Sequence, residues 1–229
     1  MQLVELEHHE LPYEINEELK VLRTNLQFCG TEKKVIMLTS TFNGEGKSTI
    51  SLYLARSITE LGKRVLLIDA DMRKSVLEKK LIKGKNRYGL SHFLSGQCTA
   101  KEPLCQTENE NMMVFFAGEV PPNPAELLAR ESFRELLDVA RSTFDYVIVD
   151  SPPLGMVVDA TVIAQHCDGA IIVMETGKIH YRTARDVVAK LNNTHCPVLG
   201  AVLNKVDWKR KYYGSYDKRY GYYKKNSYY

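Results

Sequence analysis

Apolar residues along this chain fall into short blocks separated by amphipathic stretches. Val35–Leu38, Arg64–Asp69 (RVLLID), Met112–Phe116, Asp145–Asp150 (DYVIVD), Gly169–Met174 and Val198–Asn204 read as strands. RVLLID and DYVIVD are apolar at consecutive positions, the mark of strands covered on both faces. From Asn16 the period turns helical, with Leu19, Leu22 and Leu26 on one face and Asn16 as the N-cap. Further helices are predicted from about Ser48 to Leu61 (closed by Gly62), at Tyr88–Leu94, from about Pro124 to Ser142, at Thr161–His166 and at Arg182–Asn192. Residues 1–12 are polar and proline-broken and predict a loose arm. Strands alternating with helices predict parallel βαβ units, hence an α/β fold with a doubly wound, mostly parallel sheet.

At 229 residues, 44% hydrophobic and 26% charged, the chain suits a single core-building domain. No apolar run reaches the roughly 18 residues of a membrane-spanning helix, and the first thirty residues show no signal-peptide core. A cytoplasmic location is expected. The cysteines (Cys29, Cys98, Cys105, Cys167, Cys196) are odd in number and lack CxxC spacing, which predicts reduced thiols rather than a disulfide or zinc framework. His8 and His9, set among acids, read as a solvated arm rather than a metal site.

Charge changes the picture at one end. The net charge is +3, yet residues 208–229 alone carry seven Lys or Arg and one Asp. A mildly acidic body thus precedes a basic tail. Eight of the 13 tyrosines lie in the last 18 residues: Tyr212, Tyr213, Tyr216, Tyr220, Tyr222, Tyr223, Tyr228 and Tyr229. With no Leu, Ile or Val there, the segment predicts a flexible low-complexity tail, and Trp208 reads as a packing anchor at its root. The organisation expected is an N-terminal arm and helix over 1–30, a nucleotide domain over 31–207 and the tail over 208–229.

Candidate chemistry begins at Ser40–Thr49 (STFNGEGKST), between a predicted strand and a predicted helix. Loop N–H groups from Asn43, Gly44, Glu45 and Gly46 and the following helix N-terminus suit phosphate oxygens. Lys47 would reach the β- and γ-phosphates, Ser48 would ligate Mg²⁺, and Thr49 completes the motif. Thr41 stands where the usual pattern has its first Gly. Asp69 and Asp71 close RVLLID in an Asp-x-Asp-x-Arg run, suited to metal binding or to orienting an attacking hydroxyl. Arg73 could meet phosphate or pair with a neighbouring acid. Asp150, before Ser151-Pro152-Pro153, has the form of a Walker B aspartate holding Mg²⁺ through water.

Together GEGKST, LLIDADMR and the hydrophobic run into DSPP resemble the bacterial tyrosine kinases, specifically the cytoplasmic kinase subunits of Gram-positive capsular or exopolysaccharide biosynthesis. The Pro121–Leu128 segment (PPNPAELL), Leu203–Asp207 (LNKVD) and the tyrosine cluster share in the resemblance. It implies a P-loop NTPase scaffold of the deviant-Walker (MinD/ParA-like) type, ATP and Mg²⁺ as cofactors, and autophosphorylation of the tail tyrosines between subunits. It also implies Asn204 as an adenine contact and a separate membrane activator of the polysaccharide co-polymerase type. A ring-like homo-oligomer, a counteracting tyrosine phosphatase, and a peripheral position at the inner face of the membrane through that activator are expected as well. Glu17, Lys20 and Arg23 stand at the three places of an assembly motif that carries Arg where this chain has Lys20. Asn43 replaces a common Pro.

Each phosphate adds about −1.5 to −2 charges, so roughly four would cancel or invert the tail's charge. Basic residues among aromatics also suit anionic lipid or nucleic acid; no nucleic-acid partner is expected. The competing functions are a deviant-Walker ATPase switch and a nucleotide-gated adaptor without significant kinase activity. Against the first, Phe42 occupies the place of that group's signature lysine.

Overall fold

The computed structural model describes residues 2–5, 10–77 and 88–207. In chain order the elements are β1 (Gln2–Val4), α1 (Tyr13–Phe28), β2 (Val35–Ser40), α2 (Lys47–Thr59), β3 (Val65–Asp69), α3 (Leu90–Leu94), β4 (Leu104–Thr107) and β5 (Met112–Phe115). There follow α4 (Pro124–Leu128), α5 (Glu131–Thr143), β6 (Tyr146–Asp150), α6 (Asp159–Ala164), β7 (Gly169–Glu175), α7 (Tyr181–Asn192) and β8 (Val198–Asn204). Eight strands form one sheet in the order β1-β4-β5-β3-β6-β2-β7-β8. Every pairing is parallel except β4 with β5.

The alternation of each central strand divides its side chains between two apolar layers. Ile36, Leu38, Val65, Leu67, Ile148, Ile171 and Val173 face one layer, closed by Leu26 of α1 and Leu52, Leu54 and Ile58 of α2. Val35, Met37, Leu66, Ile68, Val147, Val149 and Ile172 face the other, closed by the α3–α7 side. On α5, Phe133, Leu136, Leu137 and Ala140 are buried at i, i+3, i+4 and i+7, one helical face. This sandwich holds the carboxyl ends of β2, β3 and β6 level: Asp69 lies in register with Asp150, and Leu38 with Asp150 from the other side.

The structure departs from the sequence expectations at four places. The expected loose arm contains β1, whose Val4 is 1% exposed and which pairs with β4. β4 itself was not anticipated. The helix expected from Pro124 to Ser142 is two helices, because Arg130 takes an extended backbone (φ −71°, ψ 150°) and donates to the Leu94 carbonyl at 2.8 Å. Helix α1 begins at Tyr13, with Pro12 as its cap residue. Pro12 pre-sets an N-terminal φ, so Asn16 lies inside the helix and its amide reaches back to Leu11 O.

Candidate nucleotide and phosphoryl-transfer site

The phosphate loop leaves β2 and enters α2 through Gly44 (φ +83°) and Gly46 (φ +96°), a left-handed backbone open to glycine. A Cβ on Gly46 would overlap the Asn204 amide. The loop is bolted from inside: Glu45 is 3% exposed, and its carboxylate accepts from the N–H of Phe42 (2.7 Å) and the N–H of Glu175 at the end of β7 (3.0 Å). Asn204 Nδ2 donates to Glu45 O at 2.8 Å, and Lys205 Nζ to Gly44 O at 2.7 Å.

A cavity of about 630 Å³ lies over this loop. Asn43, Gly44, Gly46, Lys47, Ser48, Thr49, Asp71 and Asn204 of the sequence-derived residues line it, joined by Lys74, Val76 and Lys205. Glu45, Asp69, Arg73 and Asp150 are not in its lining. Asp69 and Asp150 are buried beneath it (0% and 1% exposed), and the Glu45 side chain is turned to the loop's own backbone.

Lys47 joins the three motifs. Its Nζ lies 3.0 Å from Asp71 Oδ2 and 3.8 Å from Asp150 Oδ1. Burial works to lower the ammonium, but the charges of Asp150 and Asp71 overcome it and hold the group above its ordinary value, so Lys47 is charged. Ser51, one turn into α2, donates to Asp150 Oδ1 at 3.2 Å. Burial pushes the Asp150 carboxyl up, with Lys47 working against it. Asp69 is raised well above its ordinary value by burial first and by the Asp150 charge second. Its oxygens accept from the Asp71 N–H (3.2 Å) and the Ser75 hydroxyl (2.5 Å). Asp71 is pinned by the Lys74 N–H at 3.1 Å, so the Asp-x-Asp run places Asp71 at the cavity wall and Asp69 underneath.

A divalent cation fits this donor set. Asp150 Oδ2 is buried with no hydrogen-bond partner among the described residues, and the Ser48 hydroxyl lies 3.4 Å from Lys47 Nζ. Carboxylates and a hydroxyl are the oxygen ligands Mg²⁺ takes.

Arg73 resolves toward its acid: it forks onto Asp159 of α6 at 2.6 and 2.9 Å, and Asp159 is 1% exposed. Of the assembly residues, Lys20 pairs with Glu17 at 2.7 Å on α1, while Arg23 reaches Glu60 at 2.9 Å and the Ser57 carbonyl of α2. The tail tyrosines, Trp208, His8 and His9 lie outside the described residues. Sequence reasoning missed Ser51, Ser75, Glu175, Asp159 and Lys205. Only Lys205 carried a signal, as the neighbour of Asn204 in LNKVD.

Residues 33–196 match the family model described as an AAA domain. Over 200 residues the chain is 39% identical to the tyrosine-protein kinase CpsD of Streptococcus agalactiae, covering 87% of each. It is 34% identical over 204 residues to the tyrosine-protein kinase YwqD of Bacillus subtilis, covering 88% of this chain and 86% of that one. The kinase domain of the Escherichia coli tyrosine kinase ETK superposes with a TM-score of 0.81 at 29% identity, over 96% of this chain and 94% of that one. The septum site-determining protein MinD of Pyrococcus horikoshii, solved with Mg-ADP, shares the fold at 20% identity (TM-score 0.63, 74% of this chain and 69% of that one).

Proposed function

We propose a function from this premise: the chain belongs to the family of bacterial tyrosine-protein kinases that includes CpsD and YwqD. It is an enzyme, a protein-tyrosine kinase of the bacterial type, on a P-loop scaffold shared with MinD-like ATPases. Its phosphoryl donor is ATP with Mg²⁺. Its acceptors are the tail tyrosines of a neighbouring copy. Its role is to regulate capsular or exopolysaccharide synthesis and export, with a separate membrane activator, a ring-like homo-oligomer and an opposing phosphatase.

One observation carries the catalytic part: Lys47, Asp71 and Asp150 converge under a phosphate loop, with a buried carboxylate oxygen left unpartnered. Ser48, Asp71 and Asp150 would hold Mg²⁺, which when bound neutralises charge on the β- and γ-phosphate oxygens. Lys47 leaves Asp71 to meet the phosphates. The acceptor phenol gives up its proton to Asp69, the group the resemblance favours, or to Asp71, whose place in the cavity lining supports it instead. Tail residues attached to an assembled neighbour supply acceptors at high local concentration. As phosphate accumulates, the basic tail becomes neutral or acidic, which favours release of the assembly.

The test is an anti-phosphotyrosine blot with mass spectrometry over residues 212–229, in ATP and Mg²⁺ with the activator present. The wild-type tail gains phosphate, Lys47→Met alone gains none, and the tail of Lys47→Met gains phosphate when mixed with wild type. Absence of phosphotyrosine in the wild type overturns the reading.

A further inference from the structure

In an extended strand, successive side chains point to opposite faces. Asn204 closes β8 and Lys205 follows it, yet both reach the phosphate loop. Asn204 Nδ2 donates to Glu45 O at 2.8 Å, and Lys205 Nζ to Gly44 O at 2.7 Å. The backbone explains this. Lys205 holds φ at +56°, a left-handed conformation that non-glycine residues keep where their surroundings impose it, and the turn brings its side chain round to the loop.

Glu175, at the end of β7, ties the same loop twice. Its N–H donates to the buried Glu45 carboxylate at 3.0 Å, and its own carboxylate accepts from Lys205 Nζ at 2.9 Å. The ends of β7 and β8 are joined in turn, since the Thr176 N–H and hydroxyl donate to Asn204 O at 3.0 and 3.1 Å. These contacts close a bracket around Gly44 and Glu45. It stands on the β8 side of the loop, opposite the β3 strand that leads to Asp71. An ion pair as exposed as Lys205–Glu175, with the lysine side chain 47% accessible, adds little to global stability. What it fixes is the loop, whose Gly44 and Gly46 would otherwise cost entropy to order around a phosphate.

We propose that Lys205 is a positioning residue for phosphoryl transfer: anchored by Glu175, its ammonium locks the phosphate loop in its binding shape before nucleotide arrives, and so sets how long nucleotide stays. The proposal rests on the nucleotide reading of the cavity given above. Lys205 acts through the Gly44 carbonyl, away from the Lys47–Asp71 end where the terminal phosphate sits. A loop ordered in advance spares the ligand the cost of ordering it, and such gains show chiefly in the dissociation rate.

The test is stopped-flow displacement of a fluorescent ADP analogue, with Mg²⁺, from the full chain in wild type, Lys205→Met, Lys205→Arg and Glu175→Gln, beside the ATP kinetics of tail phosphorylation. Lys205→Met keeps the stem and loses the ammonium. It should release the analogue about ten-fold faster and raise the KM for ATP about ten-fold, the order of a hydrogen bond from a charged donor. At saturating ATP its kcat falls by less than about three-fold, because the reacting end of the site is untouched. Its Tm without nucleotide stays within about 2 °C of wild type, as for an exposed pair. Lys205→Arg, which keeps a charged donor, recovers most of the wild-type residence. Glu175→Gln keeps the N–H to Glu45 and gives a smaller acceleration; no change there removes Glu175 as the anchor. An unchanged dissociation rate in Lys205→Met overturns the proposal and leaves the nucleotide site standing. So does a change confined to association that vanishes in high salt, which marks a mere point charge, or a joint fall of kcat and Tm, which marks a structural role. A wild-type chain that binds no analogue overturns the nucleotide reading and the proposal together.

Discussion

Replacing Asp69 with Asn is expected to stabilise the ligand-free protein while lowering its kinase activity. Asp69 and Asp150 are register partners on neighbouring strands and both are buried. At the usual strand spacing of about 4.8 Å, two unit charges at an effective dielectric constant near 20 repel by roughly 3 kcal/mol. Lys47 offsets part of this, so neutralising Asp69 should return about 1–3 kcal/mol at pH 8, or roughly 2–4 °C of Tm per kcal/mol for a domain this size. Asn suits the site: its Oδ1 still accepts the Asp71 N–H, and its Nδ2 donates to the Ser75 hydroxyl in place of the present contact. Burial and the Asp150 charge hold the Asp69 carboxyl well above its ordinary 3.8. The folded chain therefore keeps a proton there that the unfolded chain has released, and wild-type stability falls as pH rises through that window. The Asn variant loses this slope, so its advantage is small near pH 4–5 and largest at pH 8. Urea unfolding at both pH values, in chelator and without nucleotide, reads it directly. A gain that does not change with pH, or a loss of stability at pH 8, refutes the reasoning.

Two further outcomes follow from the same geometry. Gly46→Ala places a Cβ against the Asn204 amide at φ +96°, so it should cost about 1–3 kcal/mol and abolish nucleotide binding, as thermal shift with ADP and Mg²⁺ will show. Arg73→Ala strands the buried Asp159 carboxylate and should cost about 2–4 kcal/mol in urea unfolding, whereas pairing it with Asp159→Asn recovers most of that loss.

Much of this architecture was legible in the sequence, for identifiable reasons. The central strands β2, β3, β6 and β7 are buried on both faces, so they appear as near-continuous apolar runs, and the acids that end β3 and β6 mark the edge of the sheet where the candidate site lies. β1 has three residues and β4 four, too short for any period to register; β4 forms by pairing with β5, and β1 by pairing with β4. The split between α4 and α5 depends on the Leu94 carbonyl, a partner 36 residues from Arg130 that no local pattern encodes. At the site, strand–loop–helix spacing fixes Lys47 and Ser48, and strand ends fix Asp69 and Asp150. The Arg73–Asp159 fork and the Lys205–Gly44 tether join residues 86 and 161 positions apart, so only the folded chain reveals them.

β8 stops at the wall of the candidate cavity, and the described chain ends three residues later at Asp207. An extended chain spans at most about 3.5 Å per residue, so the Cα of Tyr212 can travel no more than roughly 18 Å from that root, and that of Tyr229 roughly 77 Å. If, as proposed, these tyrosines take phosphate from a neighbouring copy, the order in which the cluster fills would become a ruler for the separation of adjacent sites.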